Sequence, residues 1–146
     1  MALDPKIIAK LKKDLATYQA SGNYDKDLAK ITLEATNYID ETAEDNVKKS
    51  QPKKLAIVLD IDDTSLSNYD FLLSKSFCSD KNSFDKYISG AKDPVLTPTL
   101  NLYKDALSHN VAVFFITGRP ESLKQATIKN LKNKNNRIIT LERFVA

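Results

Sequence analysis

Three carboxylates stand close together where an apolar stretch of the chain ends. Residues 55–59 (LAIVL) are followed directly by residues 60–64 (DIDDT). Carboxylates this close repel one another, and a fold tolerates them when a cation compensates; carboxylate and carbonyl oxygens are the ligands that Mg²⁺ prefers. Asp60 and Asp62 can face one reaction space, where one attacks a phosphorus atom and the other transfers a proton. The alternative is a polar strand end that caps the following turn.

A second polar cluster follows the next apolar run. Residues 111–116 (VAVFFI) lead into Thr117, Gly118 and Arg119, just before a predicted helix. This sequence offers a hydroxyl, an accessible backbone and a guanidinium, and the free N–H groups and dipole of a helix N-terminus favour an anion. The alternative is a Thr N-cap and an ordinary turn.

The elements that position these clusters follow from apolar spacing. Helical periodicity predicts two N-terminal helices over 4–20 and about 25–49, which we expect to cover one face of a sheet. The first has Asp4 as its N-cap and Pro5 at its first position. The runs 55–59 and 111–116 lack alternation, which is typical of central parallel strands covered on both faces. Residues 66–96 are irregular and predict an insertion with one or two short helices.

Further helices and one strand complete the pattern. Thr97 begins a helix, residues from about 122 to 132 form another, and 137–145 are compatible with a third strand. Strand, crossover, strand, helix, strand is the order of a parallel α/β sheet. Ligands of such sheets bind beyond the carboxyl ends of the strands. If the first two strands are neighbours, both polar clusters meet at one edge.

The two clusters together resemble the haloacid dehalogenase (HAD) superfamily of phosphohydrolases. Residues 58–69 (VLDIDDTSLSNY) are similar to the class B acid phosphatase group, which includes plant vegetative storage proteins and bacterial secreted acid phosphatases. Residues 21–28 (SGNYDKDL) and 126–131 (ATIKNL) also resemble that group. The resemblance extends from about residue 15 to 132. It implies a HAD-like three-layer α/β fold with a parallel sheet, N-terminal helices and a cap-like insertion at 66–96, within one domain spanning 1–146.

The resemblance also implies a reaction, the hydrolysis of phosphate monoesters through an aspartyl-phosphate that requires Mg²⁺. Asp60 matches the nucleophile. Asp62 matches the residue that protonates the leaving oxygen and then activates water. The Asp60 carboxylate and the Asp62 backbone carbonyl match the metal ligands.

Other site residues follow from the same resemblance. The phosphate-binding residues are expected to be Thr117, Gly118 and Asp63. Substrate access is assigned to Thr64, Asn68, Tyr69 and Arg119. The expected substrate is a small phosphomonoester, either a nucleotide or an aryl phosphate, with Tyr69 and Phe71 available to stack on it. The alternative for these aromatic rings is a local hydrophobic cluster.

The sequence departs from the family after its second motif. The third-motif Lys and the fourth, acidic motif are not found, so the chain reads as the front half of the enzyme, with the C-terminal part of the sheet missing. Loss of one charge stabiliser typically costs about 10² to 10³ in rate, so we expect weak or lost activity. An open sheet edge invites self-association. The alternatives are a non-catalytic storage or phosphate-binding relative and an inactive gene fragment.

Composition excludes several other classes of protein. The 146 residues carry a net charge of +3 spread along the chain, which argues against a dedicated nucleic-acid binder. Cys78 is the single cysteine and cannot form an internal disulfide. The N-terminus has no apolar signal-peptide region, and no window approaches the roughly 20 apolar residues of a membrane span. Because the family is often secreted or periplasmic, localisation stays open.

Overall fold

The computed structural model describes residues 4–133 and 144–145 of the chain. Six helices and three strands are named here in chain order: α1 Pro5–Ala20, α2 Asn23–Val47, β1 Ala56–Asp60, α3 Tyr69–Ser74, α4 Lys81–Ser89, α5 Thr97–Ser108, β2 Ala112–Ile116, α6 Lys124–Leu131 and β3 Phe144–Val145. A single 3₁₀ turn, Glu121–Leu123, precedes α6. The predicted helices and strands that fall within the described residues are present, with ends shifted by one or two residues.

The N-terminal helices begin as the sequence predicts but only one of them reaches the core. The Asp4 carboxylate caps α1 by accepting the Lys6 N–H at 2.8 Å. Gly22 adopts a left-handed φ of +74°, which folds α1 back along α2. Helix α1 buries none of its residues. The expectation that both helices cover the sheet was therefore wrong for α1, because it lies on the outer side of α2.

The sheet is parallel and has the order β1-β2-β3. Strand β1 pairs with β2 from Ala56 opposite Ala112 to Asp60 opposite Ile116. Strand β2 pairs in turn with β3. Of the predicted third strand over 137–145, residues 144–145 form β3, and residues 137–143 lie outside the described part of the chain. The α/β class with a parallel sheet is confirmed.

The hydrophobic core lies on one face of the sheet. Leu59 and Phe115 project from β1 and β2 into a cluster that includes Ile39 of α2 and Leu131 of α6. Helix α5 contributes four further members, namely Leu100, Leu102, Tyr103 and Ala106. Right-handed connections place α5 and α6 on the same side of a sheet whose strands follow one another in order.

The opposite face of the sheet is open, which corrects the expectation of strands covered on both faces. Val58 is 57% exposed and Ile116 is 49% exposed. Side chains alternate along a strand, so these two point away from Leu59 and Phe115. The described helices that join the core cluster all belong to the other side, and the apolar character of β1 and β2 is thus used on one face only.

The segment 66–96 contains α3 and α4, in line with the one or two short helices expected there. Phe71 of α3 is buried, and its ring stacks on Tyr87 of α4 with centroids 4.5 Å apart. Phe84 packs against the same ring at 5.6 Å. None of the helices in the described part of the chain combines the length and apolar character needed to cross a membrane.

Candidate active site

The two polar clusters of the sequence lie at the same edge of the sheet. Strands β1 and β2 are parallel neighbours, and Asp60 is opposite Ile116 at their carboxyl ends. The chain therefore leaves β1 into the three carboxylates and leaves β2 into Thr117 side by side. This is the edge at which parallel α/β sheets bind ligands.

Asp60 is an exposed carboxylate at the end of β1. The residue is exposed, and its Oδ2 accepts the hydroxyl of Thr64 at 3.2 Å. Its backbone carbonyl accepts the Ser65 hydroxyl at 2.6 Å. No Lys, Arg or His of the described residues forms an ion pair with Asp60. The Asp60 side chain thus faces solvent and is contacted by the Thr64 hydroxyl.

A tight turn after β1 fixes the other two carboxylates. The Ile61 carbonyl accepts N–H groups from Thr64, Ser65 and Leu66 within 3.4 Å, and Ile61 and Leu66 are fully buried. Asp63 adopts a φ of +52° in this turn. Its carboxylate accepts the Asn68 N–H at 2.8 Å.

Among the three carboxylates of this turn, Asp63 has a raised pKa. Partial desolvation raises the pKa of the Asp63 carboxyl, and the neighbouring carboxylates of Asp62 and Asp60 raise it further. The hydrogen bond from the Asn68 N–H acts in the opposite direction. The Asp63 carboxylate therefore stabilises the turn, because it already accepts a hydrogen bond from the Asn68 backbone N–H.

Asp62 is held by two side chains. The Arg119 Nε lies 3.1 Å from both carboxylate oxygens, and Nη2 donates to Oδ1 at 2.7 Å. Asn68 Nδ2 donates to the same Oδ1 at 2.6 Å. Arg119 follows β2 and Asn68 precedes α3, so Asp62 is the point where the two sequence clusters touch.

Arg119 is buried within a larger polar network. Its Nη2 also lies 3.3 Å from Asp93 Oδ2, and its Nη1 donates to the Thr127 hydroxyl at 3.1 Å. Asn130 donates to Asp93. We call Asp62, Arg119 and Asp93 the Arg119 cluster. Arg119 was predicted to govern substrate access; its buried side chain is bonded to Asp62, Asp93 and Thr127, and the residue also lines a small cavity beside α4.

Three residues of this network were missed by sequence reasoning. Asp93, Thr127 and Asn130 are buried, and Asp93 stands 26 residues from Arg119 and 37 from Asn130 in the chain. Thr127 and Asn130 lie three apart on α6, which places them on the same face of a helix. Burial and the hydrogen bond to Asp93 raise the pKa of Tyr87, an α4 residue that also faces this network. Only the three-dimensional arrangement joins these positions.

The Thr117 to Gly118 segment differs from the expected helix N-terminus. Thr117 is buried and its hydroxyl accepts the Arg119 N–H at 3.2 Å. Helix α6 begins at Lys124, after the 3₁₀ turn, so the N–H groups of α6 do not start directly after Gly118. Gly118 itself is exposed, and a Cβ built there would meet no atom within 4 Å. The backbone at Gly118 is open to an approaching group.

The predicted access residues divide into two kinds. Thr64 is half-buried and bonded to Asp60, while Asn68 is buried and serves Asp62 and Asp63. Tyr69 is half-buried at the start of α3, with its ring 6.1 Å from Phe77. For Phe71, the aromatic packing described above corresponds to the hydrophobic-cluster alternative.

A cavity of about 160 Å³ opens between this edge and α4. Asp62, Gly118 and Arg119 form one wall, and Lys81, Phe84 and Ile88 of α4 form another. A larger cavity, of about 640 Å³, lies between α2 and the start of α5, away from Asp60. The smaller cavity adjoins Asp62 and the open backbone of Gly118.

The donor set suits a hard cation. Asp62 and Asp63 have fixed hydrogen-bond donors, whereas Asp60 has a single hydroxyl contact and no ion pair among the described residues. An exposed carboxylate beside two others, together with the backbone carbonyls of the turn, provides the oxygen ligands that Mg²⁺ prefers. The residues present therefore fit the metal that the family resemblance implies.

The chain is similar to known proteins over nearly its whole length. Residues 5–144 match the model of the HAD superfamily, subfamily IIIB (acid phosphatase). Acid phosphatase 1 of Solanum lycopersicum is 27% identical over 119 residues, which are 80% of this chain and 45% of that protein.

Solved structures give the same relationship. The class C acid phosphatase from Bacillus anthracis is 26% identical and superposes with a TM-score of 0.71, over 94% of this chain and 57% of that one. The same enzyme with tungstate bound gives 0.67, at 26% identity, over 88% of this chain and 53% of that one. The chain spans about half the length of the relatives it matches.

Proposed function

The chain belongs to the acid phosphatase family of the HAD superfamily, subfamily IIIB, and on that premise we propose that it carries the nucleophile and the acid–base residue of a phosphomonoesterase. The observation that supports this most directly is the contrast between two carboxylates at one sheet edge. Asp60 is exposed and free of ion pairs among the described residues, while Asp62 is clamped by Arg119.

The proposed reaction has two steps. A carboxylate oxygen of Asp60 attacks phosphorus, the bond from phosphorus to the leaving oxygen breaks, and Asp62 gives that oxygen its proton. Asp62, now ionised, takes a proton from water as the water oxygen attacks the phosphorus of the aspartyl-phosphate. The bond from phosphorus to Asp60 breaks, which releases inorganic phosphate and restores both carboxyl groups.

Three groups assist this chemistry in the proposal. The Thr117 hydroxyl and the open backbone at Gly118 bind the phosphoryl oxygens, since Gly118 lines the cavity and Thr117 precedes it directly in the chain. Asp60 and the carbonyl of Asp62 would hold Mg²⁺, which supplies positive charge to the phosphoryl oxygens when bound. Asp63 is a weaker candidate for phosphate binding, because its carboxylate carries negative charge and is bonded to the Asn68 N–H.

The cavity suggests where the leaving group sits. Phe84 and Ile88 offer apolar surface, and Lys81, which is ion-paired with Asp85, offers positive charge at the rim. A nucleotide or aryl phosphate has an apolar ring and further polar groups that suit such a lining. Because the third-motif Lys is not found in this sequence, we propose a rate about 10² to 10³ below that of an enzyme that has it.

The test of this function is hydrolysis of p-nitrophenyl phosphate with and without Mg²⁺, by wild type and by Asp60→Asn. We expect Mg²⁺-dependent release of nitrophenolate by the wild type and the uncatalysed background rate from the variant, since the amide does not attack phosphorus. Asp70→Asn, an exposed change on α3, is the matched control and keeps the wild-type rate. Equal rates for wild type and Asp60→Asn would refute the proposed mechanism.

A further inference from the structure

The contact between Arg119 and Asp62 is one-sided. The Arg119 side chain is 2% exposed, whereas that of Asp62 is 29% exposed and lines the cavity. Arg119 therefore grips the carboxylate from the protein interior through three contacts of 2.7 to 3.1 Å, and the remaining surface of Asp62 faces the substrate side. A planar guanidinium fixes the plane of a carboxylate in a way that a lysine ammonium does not.

Arg119 is itself held from two directions. Asp93, at the end of the insertion, takes Nη2, and Thr127 of α6 takes Nη1. The side chain of Asp93 is 1% exposed and is in turn bonded by Asn130. A buried ion pair is weak evidence for stability by itself, because desolvation opposes the attraction. What this arrangement does provide is a single orientation of Arg119, and through it of Asp62.

We propose that Arg119 is a positioning residue that holds the Asp62 carboxyl in line with the leaving oxygen of the substrate. The inference rests on the proposed function and deepens it. Arg119 touches neither the phosphoryl group nor the leaving group in this role. Asp93 and Thr127 fix Arg119, so the insertion and α6 both contribute to the alignment of the acid.

The role predicts a dependence on the leaving group. Nitrophenolate departs without a proton, whereas the alkoxide of an alkyl phosphate requires protonation as the bond breaks, and general acids contribute about 10² to 10⁴ to such steps. In Arg119→Lys we expect kcat for glycerol 2-phosphate to fall about 10- to 100-fold and kcat for p-nitrophenyl phosphate to fall less than about threefold. KM for both should change less than about twofold, because the Arg119 side chain is 2% exposed and acts through Asp62.

Double substitution separates positioning from a general structural role. Asp62→Asn should show the same leaving-group pattern, and adding Arg119→Lys to it should cost nothing more, since Arg119 acts through Asp62. Lys48→Arg, on the exposed end of α2, is the control and leaves both rates unchanged. Equal losses on the two substrates, or a multiplied loss in the double variant, would overturn the proposal.

Thr127→Val provides a second route if Arg119→Lys does not fold. It removes one anchor of Arg119 without touching Asp62 or the cavity lining, so a smaller loss with the same leaving-group selectivity is expected. A loss on both substrates alike would again contradict the positioning role.

An NMR measurement keeps the inference separable from the proposed function. The Nε–H of Arg119 should exchange slowly with water in the wild type and rapidly in Asp62→Asn. A wild type that hydrolyses neither substrate overturns the proposed function, and the NMR result then decides the inference. Protection that depends on Asp62 supports it, and rapid exchange in the wild type overturns it.

Discussion

Two clusters of carboxylates in this molecule differ in their partners and in their location. The Arg119 cluster lies at the carboxyl ends of β1 and β2 and is closed by a guanidinium. The second, the His109 cluster, consists of Asp40 on α2 with Asp105 and His109 at the end of α5. Helix α5 starts beside the Thr64 carbonyl, which accepts the Thr99 hydroxyl at 2.6 Å, and ends before β2 begins. The His109 cluster is therefore at the opposite edge of the sheet from Asp60.

The geometry of the two clusters differs as much as their place. Arg119 and Asp93 are buried and joined within hydrogen-bond distance to their partners. In the His109 cluster the side chains are partly exposed, and the imidazole nitrogens lie 3.5 Å from Asp40 and 3.7 Å from Asp105. Desolvation raises the pKa of the Asp105 carboxyl, and the facing charge of Asp40 raises it further, while His109 opposes this.

The comparison shows which features distinguish a candidate site from acidic residues that are merely close together. In the His109 cluster the possible ligand atoms lie within 4.8 Å of one another, at a contact between α2 and the end of α5. At the other edge of the sheet, Asp60 is exposed and has no ion pair among the described residues, while buried donors fix the orientation of Asp62. Fixed geometry next to an accessible group is what catalysis requires.

The largest effect on this comparison should come from Arg119→Met. The change leaves the buried Asp93 and the half-buried Asp62 without their shared cation, and removal of one partner of a buried pair typically costs about 3 to 5 kcal/mol. Urea unfolding followed by circular dichroism measures the free energy of unfolding. Lys48→Met, which breaks an exposed pair with Asp45, is the control and should lose less than about 0.5 kcal/mol. A loss below about 1 kcal/mol in the free energy of unfolding of Arg119→Met would show that the ion pairs of Arg119 contribute little to stability.

A middle effect is expected from Thr127→Val. The side chain is fully buried, and valine has nearly the same shape but does not accept the Arg119 Nη1–H. An unpaired donor on a buried charged group costs about 1 to 3 kcal/mol. Thr127→Ser retains the hydroxyl and should recover most of the loss in the same urea titration. If serine and valine are equally destabilising, the methyl packing of Thr127 matters and its hydrogen bond does not.

The smallest effect, and one of opposite sign, is predicted for Asp105→Asn. A carboxyl whose pKa is raised by folding favours the folded state below its unfolded pKa, near 3.8, and loses that contribution as the pH rises through the folded value. At pH 7 the variant should therefore be more stable than the wild type, by about 0.5 kcal/mol, the scale of partly exposed charge interactions. The advantage should vanish as the pH is lowered to about 4. Thermal unfolding at a series of pH values checks this, and a variant less stable at pH 7 would contradict the sign.

Much of the fold is readable from the sequence because its signals are local. Asp4 and Pro5 start α1, and the two apolar runs predict β1 and β2 without reference to any other part of the chain. The meeting of two polar clusters at one edge follows from the parallel pairing alone. The family assignment from residues 58–69 and 117–121 is confirmed by the family match over residues 5–144. It could be made from the sequence because each motif is a contiguous stretch of the chain.

The failures have a common physical cause. The open face of β1 and β2 was not predicted, because an apolar run shows which residues favour burial and not which face the helices will cover. Helix α1 was predicted to cover the sheet because it has an apolar stripe. Such a stripe does not show which element the helix packs against. The contact of Arg119 with the buried Asp93 was not predicted, because Asp93 stands 26 residues earlier in the chain.

The sequence by itself determined which polar residues follow the first two strands, since Asp60, Asp62 and Thr117 are placed by short-range order along the chain. The tertiary structure alone decided which carboxylate is free and which is held. That outcome depends on Arg119, Asp93 and Thr127, whose contacts span up to 57 residues of chain separation. Such contacts arise from the packing of residues 66–96 and α6 against the sheet edge. A local sequence pattern does not show which distant residue will become a partner, because only folding brings the two together.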